Sequence, residues 1–408
     1  MTGSTHARQL SLLLAAAVFI NFVDRGNLAT AAPVLATELH LSATQLGILL
    51  SSFYWTYAVS QLGAGWLAER YPVQRVIAAG FALWCVATIL SGFASTFAML
   101  LVLRLILGLG ESVAFPCSSK LLAEHVSMDR RGRSNGDIAI GLALGPAFGT
   151  YVGGMILARF GWRVLFISLG AASLLWLIPW LAGPARTLPV RAVENTNDGP
   201  AFLDIIRQRA ALGAGLGHFC ANYIFYFVLA WLPYYLVEVR GYSLTRMATI
   251  GGLTYVMHAV GAWCTGFVVD RWIERGESPH RVYANTLVVS HIASAVCLVG
   301  VLLGGPVLLD ASLLAVGFTF GLASPMLYAV GQLLAGPKAA GRWIGFQGAV
   351  GNLAGIAGPA ITGFLVDRTG SFYSAFGLAI AVSLVGVLAW TVVIPRIEQV
   401  RWSAAIAT

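Results

Sequence analysis

The second apolar segment of the chain ends with the sequence Gly65-Trp66-Leu67-Ala68-Glu69-Arg70 (GWLAER). A matching phrase closes the eighth apolar segment at residues 266–271 (GFVVDR) and the eleventh at residues 363–368 (GFLVDR). Residues 154–159 (GMILAR) close the fifth segment in the same way, with Ala in place of the acid. Every third segment therefore ends alike, which indicates that a unit of three helices is used four times.

Composition places these segments in a membrane. Of the 408 residues, 58% are hydrophobic and only 10% are charged, and the mean hydropathy is +0.79. Helices of about 20 apolar residues cross a hydrocarbon core of ~30 Å. The sequence predicts twelve such spans, with approximate limits of 10–37, 43–67, 74–93, 97–124, 134–157, 163–183, 208–237, 247–270, 280–304, 309–334, 342–366 and 372–395.

Positive charge indicates the orientation of the spans. The first apolar run is too long for a signal peptide, so we interpret it as a membrane span. The 25 Lys and Arg residues concentrate in the loops that are inside when both termini are cytoplasmic. Topology thus explains the net charge of +8, which does not indicate nucleic acid binding. We expect a multi-pass protein of a bacterial inner membrane.

Residues 184–206 form a long polar stretch whose Pro, Gly and Asn content is typical of a solvated linker. We expect this cytoplasmic linker to join an N-terminal lobe (1–183) to a C-terminal lobe (207–408). The predicted fold is an all-α membrane protein with twelve transmembrane helices in two pseudo-symmetric six-helix lobes. Inverted repeats of this kind are typical of secondary transporters.

Four charged residues lie deep within predicted spans: Asp24 and Arg25 in the first, and Arg104 and Glu111 in the fourth. A charge near the bilayer centre costs about 2.5 kcal/mol or more, so each should face the protein interior and a partner. Arg104 and Glu111 are on one helix face but about 10 Å apart. We therefore expect Arg25 to lie near Glu111, and Asp24 near Arg104.

Two interpretations of these charges stay open. One is a static ion-pair network that fixes helix packing, although apolar replacements of such networks are often neutral or stabilising. In the other, burial and a nearby arginine act in opposite directions on a carboxyl group, so that Asp24 and Glu111 can exchange protons near neutral pH. Arg25 keeps its charge and offers a planar fork to a carboxylate, which makes it the candidate substrate anchor. Arg104 belongs to the charge network.

Uncharged polar residues repeat at helical spacing within several spans, where lipid would leave them without hydrogen-bond partners. They either line a central cavity or form hydrogen bonds that only hold the helices together. For the set as a whole we favour the cavity, and we interpret Asp137, His258 and His291 as polar contacts or interface residues. The candidate substrate-binding residues, besides Arg25, are Tyr57, Gln61, Asn222, Tyr226, Ser324, Tyr328 and Asn352.

The repeated phrase also admits two interpretations. The acid and the arginine can form a polar cap that merely ends a span. A cap alone does not require the glycine, which lets helix backbones approach closely. The acid and arginine can instead pair with a neighbouring helix end and form a latch that opens and closes. The candidate gating latch comprises Gly65, Glu69, Arg70, Asp270 and Arg271.

The chain resembles the major facilitator superfamily, since residues 65–75 (GWLAERYPVQR) are similar to its loop signature. Residues 21–28 (NFVDRGNL), 104–116 (RLILGLGESVAFP) and 219–235 (FCANYIFYFVLAWLPYY) resemble the anion:cation symporter family of sugar-acid and organic-anion transporters. The resemblance implies the two-lobed major facilitator fold and a proton-coupled symporter that imports a small organic anion by alternating access. Its partners would be a carboxylate, protons and the bilayer, and we expect a monomer.

Two departures keep other functions open. Leu142 stands where the family often has a glutamine-like residue, which weighs against a polyhydroxylated substrate. Residues 141–149 (GLALGPAFG) resemble a fifth-helix motif of proton-driven drug antiporters, so the alternative is export of small amphiphilic compounds. The sequence contains no metal-ligand cluster, no phosphate-binding glycine loop and no nucleophile with its base. We therefore expect no enzyme, no metal and no cofactor.

Overall fold

The computed structural model describes residues 2–126, 128–183, 200–336, 339–394 and 396–402. None of these residues lies in a β-strand. The α-helices are α1 (Thr2–Glu38), α2 (Ala43–Arg70), α3 (Val73–Ser91), α4 (Phe97–Glu111), α5 (Ala114–His125), α6 (Met128–Leu174), α7 (Leu177–Ala182), α8 (Phe202–Ile206), α9 (Arg209–Tyr234), α10 (Leu244–Glu274), α11 (Pro279–Leu303), α12 (Pro306–Ala335), α13 (Ala340–Thr369) and α14 (Tyr373–Leu388).

The predicted spans correspond to these helices. Within the described residues, ten helical stretches are long and apolar enough to cross a membrane. One of them, Gly136–Ala182, covers nearly all of the fifth and the sixth predicted spans. The two spans meet at Gly161, whose φ of 81° lies in the left-handed region that glycine tolerates. The second predicted span is α2, which is helical but not among the ten. The all-α membrane architecture is confirmed.

The fourth predicted span is one continuous helical stretch, Phe97–Leu122, with an irregular turn near its middle. Helix α4 ends at Glu111 and α5 begins at Ala114, and Ser112 and Val113 between them keep right-handed helical backbone angles. Pro116 explains the irregular turn, because a proline has no N–H to donate to the carbonyl four residues earlier, here that of Ser112, and its ring clashes with that carbonyl. Glu111 therefore lies next to an irregular turn inside the span.

The chain forms two compact units. The first comprises Met1–Glu194 and Leu229–Tyr255, and the second comprises Asn195–Val228 and Val256–Thr408. Most of the predicted linker, residues 184–199, lies outside the described part of the chain. The division into lobes of 1–183 and 207–408 stays a prediction.

Helices α1 and α6 pack closely in the first unit. Gly141, Gly145 and Gly149 recur at every fourth position of α6, and the α1 backbone occupies the space that side chains there would need. A β-carbon at Gly145, for example, would lie 2.6 Å from Phe22 Cβ and 2.7 Å from the Phe19 carbonyl oxygen. Small residues commonly allow such close approach between membrane helices. The stretch 141–149 therefore has a packing role in this chain.

Gly145→Ala should lower the free energy of unfolding by about 1–3 kcal/mol, because the added methyl overpacks the α1–α6 contact. The thermal midpoint of the detergent-purified protein measures this loss. The matched control is Gly136→Ala on the same helix, where a β-carbon would meet nothing within 4 Å. Equal midpoints for the two variants would contradict the close packing.

In the second unit, residues 396–402 cover one end of the bundle. The Val400 N–H donates to the Leu334 carbonyl (2.8 Å), and Trp402 Nε1 donates to the Ala335 carbonyl (2.9 Å). These carbonyls lie in the last turn of α12, where no backbone N–H of the helix can reach them. The segment thereby provides hydrogen-bond donors for the last carbonyls of α12, and it adds Ile397 to the hydrophobic core of this unit.

Candidate functional site

Arg25 and Glu111 form an ion pair in the interior of the first unit. Arg25 Nε donates to Glu111 Oε2 across 3.2 Å, and the two side chains are only 5% and 0% exposed. The predicted contact between them is confirmed. Removing one partner of a buried pair leaves an uncompensated charge, which is strongly unfavourable. A group that displaces Glu111 from Arg25 must therefore be an anion, and Glu111 must then find other compensation.

Three aromatic rings surround the Arg25 guanidinium, and we call them the aromatic collar. The Arg25 Cζ atom lies 4.5 Å from the ring centroid of Phe22, 5.1 Å from that of Phe53 and 4.5 Å from that of Tyr57. Phe53 and Tyr57 stack on each other with centroids 5.1 Å apart. Each cation–π contact of a desolvated arginine contributes about 0.5–2 kcal/mol. The collar thus stabilises the Arg25 guanidinium through ring contacts, and these contacts do not occupy its N–H donors.

Sequence reasoning identified Tyr57 as a site residue but missed Phe22 and Phe53. A signal was available for both. Phe22 precedes Arg25 by three residues, and Phe53 precedes Tyr57 by four, spacings that place side chains on one helix face. An aromatic residue at such a distance from a buried arginine is a candidate cation–π partner.

Asp24 lies within electrostatic range of Arg104, as predicted, but the two side chains do not form a salt bridge. Asp24 Oδ1 instead accepts a hydrogen bond of 2.8 Å from Asn27 Nδ2, and within the described residues Asp24 forms no ion pair. Asn27 is held three residues away on the same helix, whereas Arg104 must reach across from α4, where its Cζ lies 5.4 Å from the Phe53 ring centroid. Asp24 remains within electrostatic range of both Arg104 and Glu111. The four charges therefore form one cluster.

In the second unit, four polar side chains form two hydrogen-bonded pairs. The Tyr226 hydroxyl donates to Asn352 Oδ1 across 3.0 Å. Ser324 Oγ lies 3.3 Å from His258 Nε2. His258 is thus a polar contact, as predicted, and its partner is one of the candidate substrate-binding residues.

Three candidate substrate-binding residues have more open surroundings. Gln61 and Asn222 are half-buried, on α2 and α9 respectively. Tyr328 is 48% exposed, and its ring meets His218 edge-on with centroids 5.7 Å apart. Among the described residues of the second unit, no Asp, Glu, Lys or Arg is buried. The buried charges described in the two units thus all belong to the first.

The residues of the candidate latch lie at helix ends. Arg70 is the last residue of α2 and is exposed, with its Cζ 5.7 Å from the Trp66 ring centroid. Asp270 and Arg271 are exposed in the final turns of α10. Gly65 and Glu69 lie within α2, but their surroundings belong to the part of the chain that is not described. Gating by these residues stays a prediction.

Comparison with known sequences connects the chain to organic-acid transporters. It is 30% identical to the hexuronate transporter of Bacillus subtilis, covering 91% of this chain and 92% of the relative. It is 31% identical to a probable sulfoacetate transporter of Cupriavidus necator, covering 91% and 90%. A probable L-galactonate transporter of Escherichia coli is 28% identical, covering 93% and 87%.

Comparison with solved structures confirms the fold. A bacterial homologue of the human lysosomal transporter Spinster, in an inward-facing and occupied conformation, superposes with a TM-score of 0.81 at 16% identity, covering 97% of this chain and 98% of that one. A mutant of the nucleoside transporter NupG gives a TM-score of 0.77 at 15% identity, covering 94% and 100%. The sequence profile described as "Major Facilitator Superfamily" matches residues 14–359. The chain belongs to the Major Facilitator Superfamily, whose members are transporters.

Proposed function

We propose that the protein imports a small organic anion together with protons, by alternating access, across a bacterial inner membrane. The observation that carries this proposal is the Arg25–Glu111 ion pair inside the aromatic collar. It combines one cation that keeps its charge with one carboxyl group that can take up a proton.

Arg25 is the anchor for the anion in this proposal. A guanidinium binds a carboxylate through parallel N–H donors, and such charge-assisted pairs are among the strongest hydrogen bonds in proteins. A substrate carboxylate that replaces Glu111 keeps the Arg25 charge compensated. A neutral substrate in the same position would leave that charge buried without a counter-ion.

The names of the relatives support the same substrate class. Hexuronate, sulfoacetate and L-galactonate are all organic acids, and the transporters so named share about 30% of their residues with this chain. Within the first unit, the proposed substrate contacts besides Arg25 are Tyr57 and Gln61. The second unit contributes no buried charge among its described residues, so its candidate residues would bind uncharged groups. They are Asn222, Tyr226, Ser324, Tyr328 and Asn352.

Proton coupling follows from the exchange of partners at Arg25. Once the substrate occupies Arg25, the fully buried Glu111 has lost its ion pair and keeps only the more distant Arg104 in electrostatic range, so burial then favours its neutral, protonated form. Binding of the anion and binding of the proton become mutually favourable, as linkage requires. Asp24 is the second proton-coupling residue, and it responds through Arg104 and Asn27.

A counterflow assay tests the substrate class. Proteoliposomes are loaded with one unlabelled compound at a time, and entry of its labelled form is followed for a hexuronate, an aldonate, sulfoacetate, an aliphatic monocarboxylate and a lipophilic cation. We expect exchange of at least one acid, and none of its amide or of the cation. Exchange of the lipophilic cation without any acid would contradict the proposal and favour the export alternative.

A further inference from the structure

A buried histidine of the second unit uses one ring nitrogen in a hydrogen bond and leaves the other available. His218 lies on α9 and is only 3% exposed. Its Nδ1 atom lies 3.4 Å from Gln347 Nε2. Its Nε2 atom has no hydrogen-bond partner within the described residues, and it is not one of their fully enclosed polar atoms. What His218 can bind therefore depends on which of the two nitrogens carries the proton.

Two partners of opposite kind fix the orientation of the Gln347 amide. Gln347 Nε2 donates to the Leu327 carbonyl across 2.8 Å, and Gln347 Oε1 accepts from Trp343 Nε1 across 3.2 Å. A carbonyl only accepts and an indole N–H only donates, so exchanging the amide oxygen and nitrogen would leave both hydrogen bonds unmade. Gln347 Nε2 therefore offers its second N–H to His218 Nδ1, which must accept.

This contact determines the state of the His218 ring. A neutral imidazole carries its proton on one nitrogen only. Because Nδ1 accepts, the proton is on Nε2, and a further proton on Nδ1 would meet the Gln347 N–H group. No Asp or Glu is buried among the described residues of the second unit, so no buried carboxylate compensates a charged ring. His218 is thus a neutral ring with one available N–H donor.

The residues beside this N–H include two of the candidate substrate-binding residues. Asn222 lies one turn further along α9, is half-buried, and forms no hydrogen bond within the described residues. The ring of Tyr328 meets that of His218 edge-on, with centroids 5.7 Å apart. A β-carbon at Gly351 of α13 would lie 2.7 Å from His218 Cδ2, the atom bonded to Nε2, and 3.1 Å from Asn222 Nδ2. The imidazole N–H and the Asn222 amide therefore border one position.

The chemistry of these two side chains favours a hydroxyl group as their ligand. Nε2 of His218 carries a proton, so it cannot bind a metal ion. A carboxylate would meet no buried Lys or Arg among the described residues of the second unit, and burial of an unpaired charge is costly. A hydroxyl group accepts from His218 Nε2 and can donate to Asn222 Oδ1 at the same time.

We propose that His218 is a specificity-determining residue, which donates from Nε2 to a hydroxyl group of the transported acid. Trp343 and Gln347 are positioning residues, because they hold His218 in the tautomer that donates. The transported compound is therefore a hydroxylated organic acid. The hydroxyl contact rests on the proposed function, whereas the tautomer does not.

Nitrogen NMR of the full chain, with isotope-labelled histidine and in lipid nanodiscs, tests the tautomer. His291 is the internal control, because its Nδ1 lies 2.8 Å from the Leu287 carbonyl and must donate to it. We expect the proton on Nε2 in His218 and on Nδ1 in His291. Each signal is assigned by its loss in His218→Gln or His291→Gln. A proton on Nδ1 of His218 would overturn the inference.

Gln347→Met tests the positioning role, because methionine has a similar length and no N–H or oxygen. Gln347 is the partner of His218 Nδ1, so its loss should let His218 populate both tautomers while the His291 signal stays unchanged. A His218 signal identical to that of the wild type would contradict the positioning role. The wild-type spectrum decides the tautomer whether or not this variant folds.

Counterflow in proteoliposomes tests the hydroxyl contact with acids of two kinds. The hydroxylated probes are a hexuronate, an aldonate and an ω-hydroxy monocarboxylate. The probes without a hydroxyl are sulfoacetate and the aliphatic monocarboxylate that matches the ω-hydroxy acid. We expect the wild type to exchange at least one hydroxylated acid, several-fold faster than either acid without a hydroxyl.

Two variants of His218 separate the N–H donor from the rest of the side chain. The amide of His218→Gln places an N–H near the former Nε2 position, whereas that of His218→Asn reaches only the former Nδ1 position. Exchange of the hydroxylated acid should fall several-fold in His218→Asn and stay closer to the wild-type rate in His218→Gln. An unchanged rate in His218→Asn, or an equal loss in both variants, would overturn the hydroxyl contact.

The outcomes distinguish this inference from the proposed function. Exchange of sulfoacetate or the plain monocarboxylate, with no exchange of a hydroxylated acid, would overturn the hydroxyl contact while transport of an organic anion stands. Exchange of no acid at all would overturn the proposed function, and the hydroxyl contact along with it, whatever the NMR spectrum shows.

Discussion

Glu111→Gln should abolish pH-driven accumulation of substrate. Exchange of labelled for unlabelled substrate, with equal concentrations and equal pH on both sides, should stay close to the wild-type rate. Glutamine imitates the protonated form of Glu111, so it still leaves room at Arg25 for an anion but can neither release nor take up a proton. The ion pair with Arg25 at 3.2 Å makes Glu111 the group whose protonation depends most directly on substrate. Both activities are measured in the same proteoliposomes.

The matched control for this variant is Asp137→Asn, which also converts a carboxylate to an amide. Asp137 pairs with Arg8 where α6 packs on α1, with its side chain 15% exposed, and it lies outside the charge cluster. It should retain pH-driven accumulation. If Glu111→Gln still concentrates substrate when only a pH difference drives transport, Asp24 or a static ion-pair network must replace Glu111 in the account.

Arg25→Lys should weaken anion binding by about 1–3 kcal/mol, which is roughly a 5- to 150-fold rise in Kd. Lysine keeps the positive charge but loses the planar fork that binds both carboxylate oxygens. It also presents a compact ammonium to rings that surround a flat guanidinium at 4.5–5.1 Å. Isothermal titration of the purified protein measures the change.

Arg163→Lys provides the control for Arg25→Lys. Arg163 also combines a carboxylate and a ring, since it pairs with Glu38 at 2.8 Å and lies 4.2 Å from the Trp162 ring centroid. Arg163 lies on α6 and pairs there with the last residue of α1, and its side chain is 50% exposed. Substrate affinity should be unchanged in this variant. An unchanged affinity in Arg25→Lys as well would remove Arg25 as the anchor.

The fold could be predicted from the sequence because the bilayer imposes a simple rule. Runs of about 20 apolar residues must become helices, and each predicted span coincides with one helix or with two consecutive helices of the structure. The irregular turn between Glu111 and Ala114 was also predictable in principle, since Pro116 follows at the distance where its ring meets the earlier carbonyl. The span pattern alone does not reveal such a turn, because the local hydropathy is unchanged.

The site could be predicted only in part. The seven-residue spacing of Arg104 and Glu111 places both on one face of α4, and the scarcity of buried charges then favours a pair between Arg25 and Glu111. The partner of Asp24 was not predictable by the same argument. Charge complementarity favours Arg104 over a neutral amide as the partner of Asp24. In the structure the hydrogen-bond partner is Asn27, which lies on the same helix as Asp24 and therefore does not depend on the approach of a second helix. The aromatic collar depends on how α2 is rotated against α1, and one sequence does not specify that rotation.

The most direct test of coupled import measures protons and substrate together. Proteoliposomes with little internal buffer and an entrapped pH dye receive the exchanged acid from outside, with equal pH on both sides at the start. We expect the lumen to acidify as the labelled acid enters, and we expect no such acidification with Glu111→Gln. Entry of the acid into wild-type liposomes with no change in internal pH, or with alkalinisation, would contradict proton-coupled import.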